Sequence, residues 1–340
     1  MALRINQIIT FGTVATVEKA AAFHIDPETG LRLPVPGAVE GKIRINQLGY
    51  RGPEPAMPKP PGRIRVAFLG SSTTYDPYVP RDDGMWSAVA TAKLNAAFAP
   101  SCQFDYVNAG VPGFGTKRLT EYLVDRVYKT QPDIVVVDTD DINGRLNDLA
   151  ISAGLYQRTH YQPSMLAHAS LFWAKLEKNA VVLRLQRTAH SQTGKLKVTP
   201  DELNGGPFKQ ELSELITAIR SFNAQPVLVL PGGELRSDQS PAAQTAAADV
   251  DLLYMPYMSI DGLLEAKDSF EQQTIKVADR MKAPFLRWTD EVPGTREDFV
   301  DSHHFSAAGA RLMGTAIGTR MLADPTMQTF FASRGCHASS

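Results

Sequence analysis

The sequence predicts a three-layer α/β/α sandwich built around a mostly parallel sheet of about five strands. Three observations predict it. Short, continuous apolar runs recur along the chain, stretches with helical spacing separate them, and the runs are bounded by glycine, proline, serine or asparagine. A strand that is apolar at every position is buried on both faces. Strands alternating with helices make a parallel sheet covered on both sides. Composition agrees. Of 340 residues, 43% are hydrophobic and 21% charged, enough apolar material for a large core and too few charges for a disordered chain. The 35 basic and 36 acidic residues leave a formal net charge of -1, which gives no electrostatic case for nucleic acid or an anionic membrane surface.

Taken in order, residues 1–62 read as an N-terminal extension or arm. Ile5 to Val17 is mildly apolar and is followed by Glu18, Lys19 and three alanines. It is short of the roughly 20 apolar residues of a membrane span, so no stable membrane insertion is expected. A secretory leader calls for a cleaner apolar run without a lysine beside its small residues. The expectation is an amphipathic helix on a soluble, cytoplasmic protein, with export left open by the weak likeness to a leader. Pro34 to Pro36 and Pro53 to Pro61 exclude helix and central strand, because proline fixes φ and lacks an N–H donor.

The domain proper spans 63–325, with 326–340 left as a C-terminal tail. Its expected strands are Ile64–Leu69, Phe104–Val107, Ile134–Val137, Pro226–Leu230 and Pro284–Trp288. Helical stretches lie between them, among them Lys117–Lys129, Phe208–Phe222 and Ser269–Met281. Residues 150–206 exceed a minimal crossover. Their Leu171-Phe172-Trp173 and Leu183-Arg184-Leu185 clusters read first as core contacts of one helix, and otherwise as a lid over a cleft. Cys102 and Cys336 have no metal-ligand spacing and pair only if the fold brings them together.

In a sheet of this kind, ligands bind beyond the carboxyl ends of the strands. Chemistry should therefore follow the strands. Gly70-Ser71-Ser72-Thr73-Thr74 places a serine at a strand-to-helix turn, beside unpaired N–H groups that can hold an oxyanion; by itself the segment is equally an N-cap cluster. Asn108 to Thr116 (NAGVPGFGT) holds glycines that let backbone approach a ligand, or that simply build a turn. Asp301-Ser302-His303-His304 places a carboxylate three residues before an imidazole that it could orient for base catalysis.

Together, and in this order, the three segments resemble the blocks of the SGNH hydrolases, the GDSL-like lipases and esterases. Gly70-Ser71-Ser72-Thr73-Thr74 is similar to the family's nucleophile block, with Ser72 in register and Ser71 where an Asp is usual. Asn108 to Gly115 is similar to the second block and puts a backbone donor on Gly113. Asp301 and His304 match the final Asp-x-x-His. The leader Ile45 to Pro53 also resembles one seen in bacterial members. The resemblance covers residues 64–320. It implies a flavodoxin-like sheet and a serine esterase with Ser72 as nucleophile, His304 as base and Asp301 as its orienting carboxylate. No metal or organic cofactor is implied. The substrate would be a small-molecule, glycan or lipid ester.

The third block departs from the pattern. Where the family has Gly-x-Asn-Asp, this chain reads Asp138-Thr139-Asp140-Asp141-Ile142-Asn143 and continues to Asn147-Asp148. Asn143 is the expected amide donor of the oxyanion hole, with Asn147 in reserve. Asp138, Asp140 and Asp141 would oppose an oxyanion unless they point outward or pair with a cation such as Arg145. Tyr75 and Tyr78 are candidates to line the substrate pocket. Acyl transfer to a hydroxyl, a binding domain with an impaired site, and a metal site at Asp140, Asp141, His303 and His304 are the competing readings. The last fits no zinc-ligand spacing.

Overall fold

Alternation along the apolar runs sorts their side chains onto two faces of one sheet. In the computed structural model, the described residues are 22–139, 141–155, 206–230 and 232–337, with 164–166, 173, 177, 180 and 196. Ahead of the domain, β1 (Phe23–Ile25) pairs antiparallel with β2 (Arg32–Pro34), and β3 (Val39–Glu40) with β4 (Ile43–Arg44). Leu31, Leu33 and Tyr50 of this arm join the main core, and Ile43 and Ile45 pack with Tyr75. The expected N-terminal helix, and most of the 150–206 segment with its expected lid, lie outside the described residues.

The sheet contains β5 (Arg63–Gly70), β6 (Gln103–Gly110), β7 (Ile134–Asp138), β8 (Gln225–Val229) and β9 (Phe285–Leu286). Its order is β6-β5-β7-β8-β9, and all four neighbouring pairs are parallel. Counted from the first sheet strand this is 2-1-3-4-5, the flavodoxin-like order.

Helices connect the strands: α1 (Ser72–Tyr75), α2 (Trp86–Phe98), α3 (Thr116–Asp125), α4 (Ile142–Ser152), α5 (Gly206–Ser221), α6 (Pro241–Ala247), α7 (Asp249–Tyr254), α8 (Ile260–Met281), α9 (Ala307–Ala323) and α10 (Pro325–Ser333). Ile64, Val66, Phe68, Ile134 and Val136 face the layer made by α2, α9 and α10. Ala67, Leu69, Val135 and Val137 face the layer of α3, α5 and α8. Each fully buried aliphatic or aromatic side chain in these layers stabilises the fold by about 1.5–3 kcal/mol.

The segment after residue 325 is helical for most of its described length. Asp324 caps α10 by accepting from the Met327 N–H (3.0 Å), and Met327 and Phe331 are buried. Cys336 then forms a disulfide with Cys102, just before β6, with 5.3 Å between their Cα atoms. The question that the sequence left open is thus answered by proximity. Among the described residues, no helix is long and apolar enough to cross a membrane.

Candidate active site

β5 ends on Gly70, and the single turn α1 begins on Ser72. Buried side chains fix this turn from three sides. Asn108 of β6 donates from its amide to the Thr74 carbonyl (2.7 Å). The Trp86 indole N–H donates to the Thr73 carbonyl (3.1 Å). Asp138, the last residue of β7, accepts from the hydroxyls of Thr73 and Thr74, the latter at 3.0 Å. Within α1, Thr73, Thr74 and Tyr75 are buried while Ser72 is partly exposed.

The facing group comes from the loop before α9. The Val300 N–H donates to the His304 carbonyl (2.9 Å) and the Ser306 N–H to the Asp298 carbonyl (2.8 Å), while buried Phe299 and Phe305 bridge the loop. Inside it, Asp301 Oδ1 accepts the backbone N–H groups of His303 (3.1 Å) and His304 (2.8 Å). The same carboxylate lies 2.8 and 2.9 Å from His304 Nδ1. His304 Nε2 is 2.8 Å from Ser72 Oγ, across 232 positions of sequence. Burial pushes the Asp301 carboxyl up, but its bond to His304 and the nearby His304 and His303 rings outweigh that and hold it down at about 2. It therefore remains ionised. A hydroxyl bonded to an imidazole, itself aligned by a carboxylate, can lose its proton to the ring while attacking a carbonyl.

By fold, the chain is similar to esterases and lipases of known structure. A variant of an acetylxylan esterase from Geobacillus stearothermophilus aligns at 15% identity with a TM-score of 0.45, over 82% of this chain and 97% of that chain. A lipase/acylhydrolase from Enterococcus faecalis aligns at 16% and 0.44, over 76% and 96%. A structure described as a lipolytic protein of the G-D-S-L family, from Desulfitobacterium hafniense, aligns at 12% and 0.42, over 75% and 98%. No family model matches the sequence, and no curated protein matches it.

The remaining expected residues divide. Gly113 has φ of +85° in a turn closed by the Phe114 N–H on the Val111 carbonyl (3.1 Å), the Pro-Gly pattern of a type II turn. Asn143 sits in the first turn of α4 and borders a cavity of about 880 Å³ that His303 also lines. Asn147 is committed elsewhere: its amide donates to the Asn143 carbonyl (2.8 Å), and its oxygen accepts from the Tyr257 hydroxyl (2.6 Å). Tyr78 packs edge-on against His304, ring centroids 5.5 Å apart. Tyr75, expected to line the substrate pocket, is instead 3% exposed, packed on Phe23 and beneath the Arg51 guanidinium. Its ring packs with Ile43 and Ile45.

Two of the carboxylates that the sequence set against an oxyanion, Asp138 at the end of β7 and Asp141, have partners. Asp138 serves α1 from below, and Asp141 pairs with Arg145 (2.7 Å). Asp140 lies outside the described residues, so the four-residue metal reading has no described set. Asp301, His303 and His304 do offer ligand atoms within 4.8 Å of one another. Both nitrogens of His304 are, however, already bonded to Ser72 and Asp301.

Sequence reasoning missed the roles of Arg51, Asn108, Asp138 and Asp251. Arg51 is 1% exposed, with its guanidinium on the carbonyls of Tyr75, Asp76 and Val79. Asp251 is buried and accepts from the Ser302 hydroxyl (2.6 Å), which stands 3.1 Å from His303 Nδ1. Asp138 ends β7, and Asn108 is buried two residues before the end of β6. A polar side chain in a buried stretch of strand must find a partner, and that was the available signal.

Proposed function

We propose that the chain is a serine ester hydrolase of the SGNH kind, with Ser72, His304 and Asp301 as its triad. One observation carries this reading: the 2.8 Å contact of His304 Nε2 with Ser72 Oγ, with Nδ1 of the same ring held by Asp301. In the proposed reaction His304 takes the hydroxyl proton as Ser72 Oγ attacks the ester carbonyl. The backbone N–H groups of Ser72 and Gly113 and the amide of Asn143 receive the oxyanion. His304 returns the proton to the departing alcohol, and water, activated by the same ring, releases the acid from Ser72. The steps use side chains and backbone alone.

The cavity bordered by Asn143 and His303 would take the alcohol. Its lining is mixed, with Lys267, Glu271, Arg287 and Arg236 beside Leu230, Leu235, Leu264 and Phe270. Its charged side chains support a hydrophilic alcohol, such as a sugar, over a long-chain one. The Cys102–Cys336 bond supports an oxidising compartment, since reducing cytosol rarely sustains such bonds.

The test is hydrolysis of p-nitrophenyl acetate and butyrate, with fluorophosphonate labelling, by wild type and Ser72→Ala. Wild type should turn over and label. Ser72→Ala should lose labelling and on the order of 10⁴–10⁶ of kcat. A wild type that neither hydrolyses nor labels removes the proposal.

A further inference from the structure

The turn that follows α1 is clamped by a residue from outside the domain. Asp76, in the left-handed region, and Val79 are the feet of a turn closed by the Val79 N–H on the Asp76 carbonyl (3.0 Å), with Pro77 and Tyr78 at its crown. Arg51 reaches both feet. Its Nη1 donates to the carbonyls of Tyr75 (2.6 Å) and Asp76, and its Nη2 donates to the carbonyl of Val79. Asp82 lies 3.7 Å from its Nε. The Arg51 backbone is held as well, bridging to Ile45 on one side and to Asn108 of β6 on the other. The guanidinium is fully buried. A buried charge is retained only where many partners satisfy it, and here those partners are the backbone that carries Tyr78.

Tyr78 is the ring standing edge-on to His304. The geometry points to Arg51 as a positioning residue of the active site: by clamping the Asp76–Val79 turn it sets Tyr78 against the His304 imidazole, which keeps that ring on Ser72. The arm thereby helps to position the catalytic ring. A planar fork spanning three carbonyls cannot be reproduced by an ammonium, so lysine does not replace Arg51. This inference rests on the triad proposed above.

The test is a double-mutant cycle with a second readout that does not require turnover. On p-nitrophenyl acetate, Arg51→Lys and Tyr78→Ala are each expected to lower kcat by about 10-fold to 100-fold, the scale of a small misplacement of reacting groups. The double variant should fall no further than the worse single, because one acts through the other; losses that multiply overturn the inference. Guanidinium ion should restore part of the kcat of Arg51→Ala and none of Tyr78→Ala. In the Ser72→Ala background, the His304 ring resonances should shift in Arg51→Lys as they do in Tyr78→Ala. Unmoved resonances overturn the positioning role whether or not the protein is an esterase. Shifted resonances in a protein that hydrolyses nothing leave the positioning intact and remove only the esterase reading. Should Arg51→Lys fail to fold, Pro77→Gly loosens the same turn with Arg51 untouched, and the same resonances decide.

Discussion

Asp301 accepts two backbone N–H groups and faces one imidazole nitrogen, so its negative charge organises the whole loop from 301 to 304. Asp301→Asn keeps the shape but offers the ring an amide. A drop in kcat on the order of 10⁴ is expected, as for other triads whose ring is left in the wrong tautomer. The charge also has a stability signature. Its folded value of about 2 lies below the unfolded value of about 3.9. The stabilisation, about 2 kcal/mol, is present above pH 4 and fades as pH falls towards 2. Urea melts of wild type and Asp301→Asn should differ at pH 7 and converge in that acid window. Asp76 has the opposite sign. Burial pushes its carboxyl up to about 8 despite Arg51 and a bond from the Trp86 N–H. It therefore favours the fold when protonated, and that contribution declines as pH rises from 4 to 8. Asp76→Asn keeps an acceptor and suits the left-handed backbone. Its Tm relative to wild type should climb across that interval.

At the level of elements, the contact between α2 and α9 depends on a missing side chain. A Cβ at Gly314 would stand 2.5 Å from the Trp86 carbonyl. Gly314→Ala must push α9 off α2 and is expected to cost about 1–3 kcal/mol, the range for overpacking, read as a lower urea midpoint. The loop of His304 precedes α9, so kcat should fall with it. The five sheet strands were readable because a parallel strand buried on both faces is apolar throughout. The hairpins of the arm were not, since strands of two or three residues show no period. Helix α10 was announced by Asp324-Pro325, a cap followed by proline at the first helical position, yet it was set aside within a tail. Within the site, Ser72 stood in a short motif at a strand end, and Asp301 and His304 in one just ahead of a helix. Tyr75 was misread because neighbouring Ser72 in sequence does not say which side of a one-turn helix meets the cleft. Arg51 was invisible as a site residue, because its partners are carbonyls, and backbone groups leave no trace in a sequence pattern.

For the molecule as a whole, the disulfide ties the start of β6 to the segment beyond α10, across 234 positions. Closing so long a loop restricts the unfolded chain, and its loss should lower stability by about 2–5 kcal/mol. Thermal melts with and without reductant, and of Cys102→Ser with Cys336→Ser, measure this. Activity at 25 °C should survive, because the bond lies at the amino end of the sheet and the triad at the carboxyl end. The triad spans the chain in another sense. Ser72 and His304 are 232 residues apart. At 5–20 residues per second, the ribosome makes the second about 10–50 s after the first. Once Asn108 has been made, the serine exists with its turn already supplied with Arg51 and Asn108 but without His304. Under the proposed mechanism, the nascent chain carries the nucleophile without its base until the loop of His304 has been made.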